Sequence, residues 1–232
     1  MHRMLVSTIP HRIGAVVMID GAEAHHALRV KRVREGERIE LLDGRGSIAG
    51  GEVAVLEKRE LGVRVTAIRH EERVRPRVEV WSAVPKGGRI DEMIDQLAQV
   101  GAAMWRPLET ERGVVEPREA KMERLGRIAA EASKQCGRAW GLEIEGRATL
   151  VDALKTGTGT RVVMADASGG GWEGAAADTI RLLVGPEGGW TDAELRAARE
   201  SGATIARFGP HVMRIETAAA VACGAFLAAG GR

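Results

Sequence analysis

The sequence predicts an α/β protein with a mostly parallel sheet and helices on both faces, preceded by a small β-barrel domain. Three observations predict it. From Arg77 onward, short apolar or β-branched runs alternate with helical patterns, as strand–helix–strand units do. Before residue 70, four or five short strands accompany a single helix. Between them lies Glu71–Pro76, a charged segment whose proline favours extended chain at the preceding residue. The boundary is placed there, giving domains at residues 1–72 and 73–232.

In the first domain the strands are Ala15–Ile19, Arg38–Asp43, Ser47–Lys58 and Leu61–His70, with Asp43–Gly46 a hairpin turn. Ala22–Arg32 reads as a helix with His25, Leu28 and Arg32 near one face. In the second domain Val78–Val84 is a strand and Pro85–Gly88 a turn. Arg89–Val100 is a helix with Ile90, Met93, Ile94, Leu97 and Val100 on one side. Ala103–Leu108, Arg161–Ala165, Arg181–Val184 and Thr204–Arg207 are strands; Pro117–Arg138, Thr191–Ser201 and Arg214–Ala229 are helices. Thr191 and Glu194 have capping-box spacing. The glycine-rich Thr156–Thr160 and Ser168–Gly174 read as surface loops.

Composition narrows the function. With 44% hydrophobic and 28% charged residues over 232, the chain can bury a large core. No apolar run reaches the roughly 18 residues of a membrane span. MHRMLVSTIPHR lacks the apolar centre of a signal peptide, so a cytoplasmic protein is expected. Cys136 and Cys223 have no metal-type spacing, so free thiols and no metal are expected, Cys223 as core packing. Net charge is +2, yet residues 1–77 carry 15 Lys+Arg against 11 Asp+Glu. Of the 34 basic residues 28 are Arg, which fits codon bias or phosphate recognition equally well. His25, His26, Arg29, Lys31, Arg32 and Arg34 form the one dense basic cluster, either a solvated helix face or a contact to the phosphates of structured RNA. With no Tyr and two Phe, a single-strand reader of the stacking type is disfavoured.

Two glycine loops carry the site. RLLVGPEGGW (Arg181–Trp190) is an apolar strand that breaks into glycines and restarts as a helix; Phe208-Gly209-Pro210 leads into Val212-Met213-Arg214-Ile215-Glu216-Thr217. Ligands of α/β sheets sit beyond the carboxyl ends of strands, where both loops fall. Neither loop has Walker A or GxGxxG spacing, and Glu187 would repel phosphate, so a neutral or cationic ligand fits better.

VGPEGGWTDAEL followed by FGPHVMRIETAAAVACGAF resembles the RsmE family of 16S ribosomal RNA uridine-N3 methyltransferases, in the SPOUT superfamily. AHHALRVKRVREGERIELLDGRG resembles that family's PUA-like RNA-binding domain; VPKGGRIDEMIDQLAQVGA, ETERGVV and RIAAEASKQCGR resemble segments of its methyltransferase domain. Trp190 stands where Phe is more usual, and His211 and Ile215 where Arg and Thr are.

The resemblance implies a C-terminal trefoil knot that brings the two loops together, where general rules predict an unknotted sheet. S-adenosylmethionine would lie between Leu183, Val184, Gly185, Pro186, Glu187 and Gly188 on one side and Phe208, Gly209, Pro210, Val212 and Met213 on the other. It also implies a homodimer whose partner completes the substrate site, with 16S ribosomal RNA as substrate, free or within the small subunit. Methylating uridine N3 requires loss of its proton. Arg214 is the candidate for stabilising charge on a uracil oxygen, and Glu216 caps the last helix or orients Arg214. His25, Arg29, Arg32, Arg34, Arg112 and Arg138 are the candidate RNA contacts. Glu131, Gln135 and Arg138 are spaced to share a helix face. Another SPOUT activity, on a ribose 2′-OH or a different base, and a non-catalytic RNA-binding role in ribosome assembly are the alternatives.

Overall fold

The computed structural model describes residues 2–113, 119–174 and 177–230. Contacts divide it into two compact units, one of Met1–Arg73 with Ser133–Gly141, the other of Val74–Ala132 with Leu142–Arg232. Ser133–Gly141, which the sequence reading places in the second domain, groups with the first unit.

The first unit contains β1 (His2–Leu5), β2 (Val16–Ile19), β3 (Arg38–Leu42), β4 (Ser47–Leu56) and β5 (Leu61–His70), in sheet order β1-β3-β4-β5-β2. The strand β1 is absent from the sequence reading; its four residues pair parallel to β3. Alternation decides which side is buried: Ile39, Leu41, Val53, Leu61, Val63 and Val65 form the core with Ala24 and Ala27. The expected helix over Ala22–Arg32 forms in two pieces, α1 (Gly21–His25) and a π-helical turn (His26–Lys31). Arg32 then closes it at φ 53°, so His25, Leu28 and Arg32 do not share a regular helical face.

Charged groups hold Ser133–Gly141 in this unit. Arg3 donates to the carbonyls of Lys134 (3.2 Å) and Gln135 (2.9 Å), and its Nε to Glu40 (2.8 Å). Lys134 Nζ lies 2.6 Å from Glu23, and Trp140 Nε1 donates to the Glu71 carbonyl over 2.7 Å.

The second unit has a six-stranded, all-parallel sheet. Its strands are β6 (Arg77–Ser82), β7 (Met104–Pro107), β8 (Glu143–Ile144), β9 (Thr160–Gly171), β10 (Thr179–Val184) and β11 (Thr204–Arg207), in the order β11-β9-β10-β6-β7-β8. On one face α2 (Arg89–Val100), α3 (Glu119–Cys136) and α6 (Ile215–Gly230) bury Ile90, Leu97, Leu125, Ala219, Cys223 and Phe226. On the other, α4 (Leu150–Leu154) and α5 (Asp192–Glu200) cover Trp81, Met164 and Leu183. This is the expected parallel sheet with helices on both faces. The sequence reading missed β8 and α4, both short. The expected start of α3 at Pro117, like the end of ETERGVV, lies outside the described residues. At its other end α3 stops at Cys136, with Gly137 at φ 76°, so Arg138 follows the helix instead of extending the face of Glu131 and Gln135. Ser168–Gly171, expected in a surface loop, are strand.

Candidate cofactor pocket and nucleic-acid interface

The pocket is built by the carboxyl ends of β9, β10 and β11. The strand β10 pairs with β9 in unbroken register up to Val184 opposite Ala165. The strand β11 pairs Ile205 with Met164 and then jumps to Ala206 with Gly170. Residues 165–169 of β9 are thereby left without partners on β11, and 166–169 without partners on β10 as well. Asp166 Oδ1 accepts the Ser168 N–H over 2.9 Å within this stretch. The jump requires glycine: a Cβ on Gly169 would stand 2.5 Å from the Ile205 carbonyl oxygen.

The two glycine loops face each other across a cavity of about 460 Å³, a size suited to a small-molecule ligand. Val184, Gly185, Pro186, Glu187, Gly188, Phe208, Gly209, Pro210, Val212 and Met213 all line it. Leu183 does not; it is fully buried in the core with Trp81 and Met164. Ala165, Asp166, Ala167 and Ala218 also line the cavity from outside the two expected loops, and Arg207 and His211 line it within the second. The register jump that presents the first three depends on pairing with a strand some forty residues away, though the glycines of Ser168–Gly174 mark the place.

Only Gly189 in the first loop needs a positive φ, at 70°. Gly185 serves a close approach: a Cβ there would meet the Trp190 ring at 2.8 Å. Trp190 is buried and its Nε1 donates to the Ala165 carbonyl over 3.0 Å, a bond that Phe could not make. The first loop is thereby tied to the released stretch of β9. Thr191 caps α5 in a capping box with Glu194, as its spacing predicts. Among the described residues the main-chain N–H groups of Gly209, Val212 and Met213 make no hydrogen bond within the protein. They are donors open to a ligand or water.

The two catalytic candidates part company. Arg214 is exposed and its side chain makes no hydrogen bond or ion pair among the described residues. Glu216, two residues on, is buried in the first turn of α6. Its Oε1 lies 3.9 Å from Arg89 Nη1, and its Oε2 has no hydrogen-bond partner among the described residues. The expectation that Glu216 orients Arg214 is therefore corrected: its neighbour is Arg89. Arg89 also reaches Glu187 Oε1 at 3.3 Å and the Lys86 carbonyl at 3.1 Å. It links the turn before α2 to the pocket loop, a role that its place after PKGG does not reveal.

Of the RNA candidates, His25, Arg29, Arg32 and Arg34 are exposed along and just beyond the π-helical turn, with His26 and Lys31 beside them. A π-turn and a non-glycine φ of 53° in one short segment are costly local geometries that concentrate at functional sites. Arg138 lies in the first unit beyond the end of α3. Arg112 is engaged elsewhere: its Nη1 donates to the carbonyls of Gly188 (2.8 Å) and Trp190 (3.4 Å). Among the described residues there is no cluster of His, Cys, Asp or Glu fit for a metal ion, and no helix long and apolar enough to cross a membrane.

A pocket between glycine loops at the carboxyl ends of a parallel sheet, with an arginine-rich β unit in the same chain, has the parts of an RNA-modifying enzyme. Residues 71–227 match the RNA methyltransferase domain model and residues 19–66 the RNA methyltransferase PUA domain model. The chain belongs to the ribosomal RNA small subunit methyltransferase E family. It is 34% identical to the protein of that name from Mycobacterium bovis, over 95% of this chain and 88% of the relative. To its Bacillus subtilis namesake it is 27% identical, over 86% of this chain and 85% of the relative. The Neisseria gonorrhoeae ribosomal RNA small subunit methyltransferase E, solved bound to S-adenosyl methionine, superposes with a TM-score of 0.88 at 26% identity, over 97% of this chain and 96% of that one. A Legionella pneumophila methyltransferase in complex with bound cofactor SAM gives 0.86 at 26% identity, over 99% and 98%.

Proposed function

We propose that this chain transfers a methyl group from S-adenosylmethionine to N3 of a uridine in 16S ribosomal RNA. The observation that carries the reading is the pocket, because two separated motifs line one cavity in a chain of this family. The residues fit the donor. The wall is mostly backbone, glycine and small apolar side chains, with open N–H groups at Gly209, Val212 and Met213 for an adenine edge. Asp166 and Glu187 suit a ligand with hydroxyls and a positive charge.

When bound, S-adenosylmethionine supplies an electrophilic methyl group on a sulfonium. The chain's own residues do the rest. The two loops hold the donor in place, and positioning of this kind supplies much of the rate. Arg214 directly follows the pocket residue Met213 and has an uncommitted guanidinium, so it binds the uracil oxygen on which negative charge grows as N3 loses its proton. Glu216 acts through Arg89 as a positioning residue.

The exposed arginines of the π-helical turn contact RNA phosphates, and residues 1–72 form a PUA-like barrel domain ahead of a methyltransferase domain at 73–232. The second domain is of the SPOUT type, its C-terminal segment threaded as a trefoil knot; the meeting of the 184–189 and 207–214 loops supports this. The enzyme works in the cytoplasm, without a metal, as a homodimer whose partner completes the RNA site.

Calorimetry tests the pocket. Ala167 is exposed on its wall, so Ala167→Trp fills the cavity without disturbing the core. Wild type binds S-adenosylmethionine and the folded variant loses that binding. Equal affinity in both places the donor elsewhere.

A further inference from the structure

The chain after β7 makes a tight turn in which the Gly113 N–H donates to the Thr110 carbonyl over 3.0 Å. The turn is tight: a Cβ on Gly113 would lie 2.7 Å from Thr110 Oγ1 and 3.3 Å from the Thr110 carbonyl oxygen. Two tethers fix this turn to the loop that lines the pocket. Buried Glu194 accepts the Glu111 N–H on Oε1 (2.9 Å) and the Thr191 N–H on Oε2 (2.8 Å). One carboxylate thus joins the turn to the end of the glycine loop. Arg112 is the second tether, through its bonds to the Gly188 and Trp190 carbonyls. Its aliphatic stem packs where Gly188 has no side chain; a Cβ there would be 3.4 Å from Arg112 Cβ and Cδ.

We propose that Arg112 is a positioning residue for the methyl-donor loop, so that S-adenosylmethionine binding depends on it even when no RNA is present. The inference rests on the pocket being the donor site. A loop reading Gly-Pro-Glu-Gly-Gly has more backbone freedom to lose than an ordinary segment. Charge-assisted bonds to two of its carbonyls hold it in the ligand-ready form before the ligand arrives. Arg112 then acts through main-chain geometry, and the sequence expectation that it contacts RNA is replaced by this role.

The test is calorimetry of S-adenosylmethionine with wild type, Arg112→Ala and Arg112→Lys in the absence of RNA, alongside filter binding of 16S ribosomal RNA to the same proteins. Arg112→Ala weakens donor affinity about tenfold, the loss expected for charge-assisted hydrogen bonds. Arg112→Lys, which can still donate to one carbonyl, recovers part of it. RNA affinity stays within about twofold, and in turnover KM rises for the donor and not for RNA. Unchanged donor affinity with a loss of RNA affinity overturns the proposal and returns Arg112 to a phosphate contact. If Arg112→Ala does not fold, Arg112→Lys decides alone: donor affinity equal to wild type overturns it. Failure of the pocket reading is separately visible, as wild type that binds no donor or binding that survives Ala167→Trp.

Discussion

Both units pair their buried charges, but the first presents an arginine-rich surface and the second a pocket wall of glycine loops. In the first, Glu40 and Lys134 are buried, yet each is ion-paired far along the chain, Glu40 to Arg3 and Arg69, Lys134 to Glu23. Its exposed surface carries Arg29 on the π-helical turn, with Arg32 and Arg34 just beyond it. In the second, two apolar layers sandwich a parallel sheet, and the functional wall is glycine loops whose geometry is set by close approach at Gly169 and Gly185. A region built on paired charge should respond to pH and salt. A pocket wall built on close contacts should respond to added atoms.

Three variants sharpen or break that contrast. The largest effect is expected at Arg214. Arg214→Ala lowers turnover by at least about a hundredfold, as loss of a charge-stabilising donor does, and leaves donor affinity near wild type in calorimetry. Normal turnover would remove Arg214 from the mechanism.

Next is Glu40. Burial alone would raise its pKa, but hydrogen bonds from Arg3 and Arg69, with their charges, outweigh burial and hold it below the ordinary 4.5. A group whose folded pKa is depressed contributes stability that is complete above the unfolded value and lost as pH falls through the folded one. Urea melts should show wild type losing stability below about pH 4.5. Glu40→Gln should be about 2 kcal/mol less stable at pH 7, less than a fully buried pair because both arginines reach solvent, and flatter with pH. Parallel pH profiles for the two proteins would refute the ion-pair account.

The smallest effect is expected from Arg29→Gln with Arg34→Gln, which leaves the left-handed Arg32 untouched. RNA affinity falls about tenfold at moderate salt, and the log–log salt slope falls by about 1.5 to 2. An unchanged slope would mean that these arginines are a solvated face.

Local patterns told the sequence most. The spacing of Ile90, Met93, Ile94 and Leu97 gives α2 its bounds, and Thr191 with Glu194 gives α5 its cap, because both signals lie within one or two turns. The pocket loops were legible as glycine breaks after apolar strands. What escaped was set by distant partners. The strand β1 is four residues whose pattern means nothing until β3 lies beside it. Ser133–Gly141 joins the first unit through Arg3, more than a hundred residues earlier. Arg89 carries no signal in the sequence and Arg112 reads as an RNA contact; only the folded chain brings them to Glu187 and Gly188. Leu183 stands beside Val184 in sequence, but neighbouring strand residues point to opposite faces, and only Val184 reaches the cavity.

The central claim is tested most directly by incubating the protein with S-adenosylmethionine carrying a labelled methyl group and unmodified small-subunit ribosomal RNA or subunits, then digesting the RNA to nucleosides for mass analysis. The account predicts label in 3-methyluridine and none when Ala167→Trp replaces wild type. Label on a ribose 2′-oxygen or another base, or no transfer by a protein that binds both partners, would contradict it.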